Sequence, residues 1–452
     1  MQQVYNLYVG ANFSINPAAP ATDTGQHDNF YLHSCRMTTI SKAGWSWALY
    51  DWANSAYSTT VMAGFFPVFF KQFWATSLSV NDSTFWLGLA NGLSSLLIAL
   101  MAPVLGAMAD QGGLKKRMLL SFTTLGVLMT ASLFLVGHGQ WLWAAVIFSF
   151  GAIGYSGANI FYDALLVVVS GRNQFDRVSS LGYALGYFGG GLLFAVNILM
   201  TLHPEWFMLA SKAEAVRWSF VSVAAWWALF TLPLARHVWE EGRPESIRLL
   251  QTARDGFTQL GGTFRDLRKL KQIWLFLLAY FLYIDGVNTV MRMAVDYGLA
   301  LGFKASILMT ALLMTQFIAF PAALALGWLG ERWSCKGVLL TCICVYAAVC
   351  IWSTTMRTAS DFYWLAAAIG LVMGGIQALS RSMYARMIPA HQSAEFFGFF
   401  NMLGKFSAVL GPVMMGIASV LTGSARMSIL VIVILFAAGA ALLYRVQIDN
   451  ET

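Results

Sequence analysis

Four of the chain's 21 carboxylates, Asp51, Asp163, Asp285 and Asp296, fall inside long apolar stretches, and three of them head or close a polar stripe. Asp51, Asn54, Ser55 and Ser58 are spaced i, i+3, i+4 and i+7, one face of a helix, and Asp285, Asn288, Thr289 and Arg292 repeat the pattern. Tyr155, Asn159, Tyr162 and Asp163 form a third stripe, while Lys405 with Asn401, and Arg381 with Gln377, bring positive charge to comparable depth. A charge at the centre of a lipid-facing helix costs about 2.5–3.5 kcal/mol on insertion scales, so each needs a reason to be there. A polar stripe cannot face acyl chains; it faces other helices or a water-filled cavity. Mixed charge in such a cavity suits binding of a small polar or zwitterionic solute, an amino acid being the first candidate. The residues expected to bind it are Asp285, Asn288, Asn54, Asn159, Asp163, Lys405 and Gln377. The six histidines lie in tails, loops or span ends, so any coupled proton must ride on a carboxylate: Asp285 first, then Asp51 and Asp163. Asp285 is about 18 Å from the cytoplasmic end of its span and Asp51 about 8 Å. For Asp51, Asp163 and Arg381 a second role stays open, as paired charges that close the cytoplasmic side. Asp296 follows Arg292 at i, i+4 near an outer edge and reads as its structural or outer-gate partner.

Other chemistries find no support in the residues. The nearest approach to a phosphate-binding loop, Gly398 to Gly404-Lys405-Phe406, has the wrong spacing, lacks the following Ser/Thr and sits in an apolar helix. No HExxH, GxSxG or Cys/His cluster is present, so neither an enzyme nor a metal or other cofactor is expected. Five cysteines without a CxxC pair read as unpaired thiols.

The elements that must position these groups are membrane spans. Charged residues make up 11% of the 452 and hydrophobic ones 58%, against roughly 25% and under half in a soluble domain, so the chain must meet lipid. Crossing about 30 Å of hydrocarbon takes roughly 20 helical residues. Six such stretches fall within 45–236 and six within 273–445, separated by a basic stretch at 237–272. With the N-terminus inside, 20 Lys/Arg fall on the cytoplasmic side and 6 outside, a strong orienting bias that also explains the net charge of +7 without nucleic acid. Both termini are therefore expected in the cytoplasm, with the chain in a plasma membrane, the inner one in a bacterium. Residues 1–44 read as a polar, disordered cytoplasmic segment with Met37 as a candidate start, and 446–452 as a short tail. The linker's spaced bases suit a helix lying on anionic headgroups or a solvated loop. Trp45 and Trp47 read as an interfacial belt; Tyr50, Trp52 and Tyr57 line either a solute path or the core.

The halves repeat. Asp51-Trp-Ala-Asn54-Ser55 answers Asp285-Gly-Val-Asn288-Thr289 at the start of each half. The loop after the second span carries Gly106, Asp110, Gly113, Lys115, Lys116 and Arg117; the loop after the eighth carries Gly327, Glu331, Arg332 and Lys336. Parallel six-helix repeats place a solute site at their interface. The loop pattern resembles the hallmark of the major facilitator superfamily, where it governs packing and gating on the cytoplasmic side; Glu331 for Asp and the thinner basic run depart from it. The stretches Tyr50–Tyr57, Phe161–Leu166, Leu181–Tyr187, Tyr280–Thr289, Gln377–Ser382 and Ser393–Gly398 resemble the vacuole-effluxer-like branch, bacterial major facilitators related to fungal vacuolar amino-acid effluxers. The resemblance implies an all-α protein of twelve transmembrane helices in two pseudo-symmetric bundles, a monomeric secondary transporter working by alternating access. Span five lacks the Gly-Pro step of antiporters; Gly411-Pro412 stands in span eleven. A lipid flippase on the same fold, and a sensor or scaffold that binds without flux, are the alternatives.

Overall fold

The structure is a computed structural model and describes residues 39–240, 270–300, 302–423 and 429–447. Most of the N-terminal segment, of the 237–272 linker and of the tail lies outside these residues. The first rod begins as α1 (Lys42–Ala56), capped by Ser41, whose hydroxyl accepts the Gly44 N–H. It continues as π-helix over Tyr57–Phe65, an α-turn over Phe66–Phe69 and π-helix again over Phe70–Trp74. Pro67 has no N–H to give the preceding turn, and wider i→i+5 turns flank it.

Five more helices complete the first half: α2 (Val80–Gly112), α3 (Lys115–Ser132), α4 (Trp141–Val169), α5 (Phe175–Leu202) and α6 (Lys212–His237). The second half holds α7 (Lys271–Ala300), α8 (Ala305–Leu329), α9 (Cys335–Ser353), α10 (Ala359–Met387), α11 (Ser393–Thr422) and α12 (Leu430–Arg445). The expected twelve rods in two sets of six are thus present among the described residues. Eight stretches covering α2 to α10 are each long and apolar enough to cross a membrane, one of them, Thr310–Ser353, spanning α8 and α9 together.

Local chemistry sets the ends. Gly113, at φ 59°, takes the left-handed turn that ends α2 and returns its N–H to Ala109 O. Ser79, Ser211 and Ser334 cap α2, α6 and α9, and Thr358 with Asp361 forms a capping box on α10. α3 has no cap of its own; the Glu240 carboxylate, just past α6, accepts the N–H groups of Lys115 (3.2 Å) and Lys116 (3.1 Å).

The two halves are built alike. Lys116, second residue of α3, donates to Val238 O just past α6 (2.7 Å); Lys336, second residue of α9, donates to Tyr444 O and to Val446 O just past α12 (2.7 Å each). In both, an ammonium bolts the third helix of a half to the negative carbonyl end of its sixth. Between halves, α2 lies along α11, and α5 along α8 and α10.

Candidate functional site

A cavity of about 400 Å³ lies between the two bundles. The first bundle lines it with Asp51, Ser55, Asn159 and Asp163 and with Ser58, Thr59 and Gly64 of the π-helical segment; the second contributes Gln316, Gln377, Arg381 and Asn401. Tyr155, Tyr162, Tyr183 and Tyr187 add a wall of phenols from α4 and α5.

Its floor is a charge cluster that joins the halves. Arg381 Nη1 lies 3.1 Å from Asp163 Oδ1 and 3.7 Å from Asp51 Oδ2. The guanidinium also donates to Ser179, through Nε to Oγ and through Nη2 to O, at 2.9 Å each. Asn401 donates to Asp163 Oδ2 (2.9 Å) and Tyr162 to Asp51 Oδ2 (3.1 Å). Asp163 and Arg381 hold the same position along α4 and α10, two helices of 29 residues each. One turn earlier Asn159 and Gln377 match in the same way; Asn159 accepts from Asn54 (2.7 Å) and Gln377 from Tyr187 (2.7 Å). The repeat therefore places opposite charges at equivalent sites, and they meet across the interface.

Beyond the floor the bundles are latched. Arg386 of α10 grips Asp176 of α5 with two hydrogen bonds of 2.7 and 2.8 Å, and Ser382 donates to the same carboxylate. Asp110, at the end of α2, accepts the N–H groups of Ala394 (3.2 Å) and Glu395 (2.8 Å) at the start of α11, and pairs with Lys115 (2.9 Å). Glycines let the backbones touch: a Cβ on Gly106 would stand 2.1 Å from Ala394 O, one on Gly398 2.5 Å from Ala102 O, and one on Gly327 2.2 Å from Ser180 Oγ. The ion pairs of Arg381 with Asp51 and Asp163 and of Arg386 with Asp176 cross between the bundles at this end.

Residues 75–452 match the family described as vacuole effluxer Atg22 like. The chain belongs to this family. It is 38% identical over 418 residues to an uncharacterized MFS-type transporter, YxiO, of Bacillus subtilis, covering 92% of this chain and 97% of the relative. It is 26% identical over 308 residues to autophagy-related protein 22 of Botryotinia fuckeliana, covering 61% of this chain and 44% of that one, so it spans less than half of the fungal protein. Among solved structures, the transporter FucP in its outward conformation superposes with a TM-score of 0.67 at 14% identity over 90% of this chain and 98% of FucP. The human organic anion transporter MFSD10 gives 0.67 at 14% over 89% and 98%. At such identity these two show the fold, which is that of the major facilitators. The effluxer-like chain is a multi-pass membrane transporter, and its relatives are transporters rather than enzymes.

Of the residues expected at the site, Asp51, Asn159, Asp163 and Gln377 line the cavity, and Asn54 stands behind Asn159. The stripe on α7 lies elsewhere in this conformation. Asp285 and Thr289 are fully buried against Gly411 of α11, and Asn288 reaches Gly404 O and Ser407 Oγ at 3.4 Å, so this stripe faces its own bundle. Lys405, partly buried, stands one turn beyond Asn401 on α11. The side chains of Arg292 and Asp296 lie outside what the structure describes. In the loop motifs Arg117 and Glu331 are exposed, and Arg332 packs over the Trp328 ring at 5.2 Å.

One expectation is corrected. Trp47 is fully buried rather than interfacial: it stacks on Tyr162 at 4.3 Å and donates Nε1–H to Tyr162 O at 2.8 Å. Trp45 is half exposed. Tyr50 and Tyr57 are core residues, Tyr50 bonded to Thr123 at 2.6 Å. Sequence reasoning did not single out Asp176, Ser179 or Ser382. Asp176 reads in sequence as an ordinary first-turn acid favoured by the helix dipole. The signal that would have raised it is the repeat itself, since Asp176 follows Asp163 at the spacing by which Ala394 follows Arg381.

Proposed function

We propose that the chain is a secondary transporter that moves a small polar or zwitterionic solute, an amino acid first among candidates, by alternating access through this cavity. The observation that carries it is the floor: a cavity walled by both bundles whose base presents two carboxylates, Asp51 and Asp163, beside one guanidinium, Arg381. Such a floor offers complementary charge to both ends of a zwitterion. It is also the seam along which the bundles must part, so binding and gating share residues. The Lys/Arg bias assigns the latched end to the cytoplasm, which makes this the outward-facing state, with both termini cytoplasmic in a plasma membrane and the protein acting as a monomer. The family's description as vacuole effluxers supports efflux, and the Bacillus relative supports a bacterial plasma membrane, the inner one where there are two. Asp110, Lys116, Gly106, Gly113, Arg117, Gly327, Glu331 and Arg332 form the gating region. A coupled proton rides on Asp163, Asp51 or Asp285. Asp285, Asn288 and Lys405 join the solute path once α7 and α11 rearrange.

Thermal-shift screening of the purified protein against amino acids, short peptides, sugars and nucleosides selects a ligand, and counterflow of that labelled ligand in proteoliposomes tests transport. Saturable counterflow is expected. Specific binding with no counterflow would indicate a sensor and defeat the proposal. For coupling, flux driven by a pH gradient is compared in Asp163→Asn, Asp51→Asn and Asp285→Asn. Proton coupling requires that at least one of them keep counterflow while losing the gradient-driven component.

A further inference from the structure

Arg381 belongs to the second bundle, yet its head group occupies a receptacle made chiefly by the first. The Asp163 carboxylate and the Ser179 hydroxyl and carbonyl receive its N–H groups, and the Asp51 carboxylate stands 3.7 Å away as a second counter-charge. Three aromatic rings face it, Tyr183 at 4.3 Å, Trp47 at 4.7 Å and Tyr162 at 5.2 Å from the guanidinium carbon. The side chain is 2% exposed. Ring faces around a planar cation, closed by carboxylates, are the composition of receptors for organic cations, where desolvation strengthens the attraction of ring for charge.

The receptacle does not depend on Arg381 for its shape. Tyr162 is fixed by stacking on Trp47 and by its bond to Asp51; Trp47 is fixed by its Nε1–H bond to Tyr162 O. Trp47, Asp51, Tyr162, Asp163, Ser179 and Tyr183 all belong to α1, α4 and α5 of one bundle. If the latched end opens as alternating access requires, α10 withdraws and Arg381 goes with it. Two neighbouring carboxylates and three rings then remain, and two like charges held so close disfavour each other unless a cation lies between them.

We propose that this vacated receptacle is a binding site for a soluble organic cation, a guanidinium or ammonium group, that takes the place of the Arg381 head group when the bundles separate. Arg381 is then a tethered competitor: it closes the gate by filling the site, and a cation entering from solution holds the gate open by filling it instead. This rests on the alternating-access reading above and adds that the cationic end of the carried solute, or a cation bound with it, lodges between Trp47, Tyr162 and Tyr183.

The test uses ethylguanidinium as the probe, at millimolar concentration and constant ionic strength, with potassium as the control. Purified Arg381→Ala is expected to show a saturable rise in melting temperature with ethylguanidinium and none with potassium. Wild type, whose own side chain competes, should need at least ten times more probe, and Arg381→Ala/Asp163→Asn should not respond. No saturable response in Arg381→Ala, or an equal one in the double variant, overturns the proposal. Should Arg381→Ala fail to stay monodisperse, recovery by ethylguanidinium during solubilisation is the supporting result and no recovery the opposing one. Uptake of labelled guanidinium into wild-type proteoliposomes would assign the site to the carried solute; binding without uptake would assign it to a co-bound cation. Because binding is read without flux, a chain that binds the probe but transports nothing sinks the transport function alone. Transport by a chain whose Arg381→Ala variant ignores the probe sinks the site alone.

Discussion

Asp110 and Glu331 occupy the same place in the two repeats and do different work. Asp110 turns inward, accepts two N–H groups at the start of α11 and holds Lys115. Glu331 is exposed, and the helix start it would reach by symmetry, that of α5, is clamped from α10 by Arg386 on Asp176. The glycine contacts are retained in both halves, Gly106 on Ala394 and Gly327 on Ser180. Duplication has thus kept where the bundles touch and changed how each contact is held. One side uses a carboxylate on a helix N-terminus, where the amides carry a fixed partial positive charge; the other uses a buried ion pair. Two latches of different chemistry respond differently to single substitutions. Cys335, buried beside Leu379 and Ser382 at the latched end, reports opening through its reactivity with a maleimide once the exposed Cys344 and the N-terminal Cys35 are replaced by serine.

The largest effect is expected at the ion pair. Asp176 is 1% exposed, and removing one partner of a buried pair costs about 3–5 kcal/mol because the other is left uncompensated. Arg386→Gln should therefore abolish closure at the α5 side, with Cys335 labelling raised at least tenfold. If the double variant Arg386→Gln/Asp176→Asn labels as fast as the single one, stranding of the carboxylate is not the cause. Next come the glycines. Overpacking costs about 1–3 kcal/mol, and at Gly106 the opposing atom is backbone, Ala394 O, so no side-chain change can relieve it. Gly327→Ala meets the Ser180 side chain instead and should be rescued by Ser180→Gly. Counterflow in Gly106→Ala, Gly327→Ala and Gly327→Ala/Ser180→Gly checks the contrast; failure of Ser180→Gly to restore it would remove the difference between the two sides.

Much of this was legible in the sequence, and what was not has a physical reason. Span length, the 20-to-6 basic bias and the repeated loop motifs specify twelve helices in two sets, because lipid forces apolar length and orientation. The stripes led to Asp51, Asn159 and Asp163 on the cavity wall. They did not distinguish α7's stripe, because a polar helix face turned toward water and one turned toward a neighbouring helix have the same periodicity. Asp285 lies against Gly411, a contact 126 residues away that no local pattern announces. Trp47 was misplaced for a related reason: a tryptophan near a helix end is ordinarily interfacial, and what holds it inward is its stack on Tyr162 and its Nε1–H bond to the Tyr162 carbonyl, 115 residues away.

The smallest effect separates the two acids themselves. Asp110→Asn keeps an acceptor for one of the Ala394 and Glu395 amides, turns an NH2 donor on the other and loses the charge. A charge at a helix N-terminus is worth up to about 2 kcal/mol in a partly buried setting, so labelling of Cys335 should rise by roughly tenfold or somewhat more. Glu331→Gln alters an exposed side chain and should change labelling by less than about threefold, within the ±0.5 kcal/mol usual for surface positions. A decisive complication is Lys115, nearly buried beside Asp110. If its stranded charge, rather than the lost cap, drives the Asp110→Asn effect, then Asp110→Asn/Lys115→Met should return to wild-type labelling. If the cap is the cause, the double variant stays open. Equal responses to Asp110→Asn and Glu331→Gln would mean that both acids act alike, and that the exposed position of Glu331 belongs to this conformation alone.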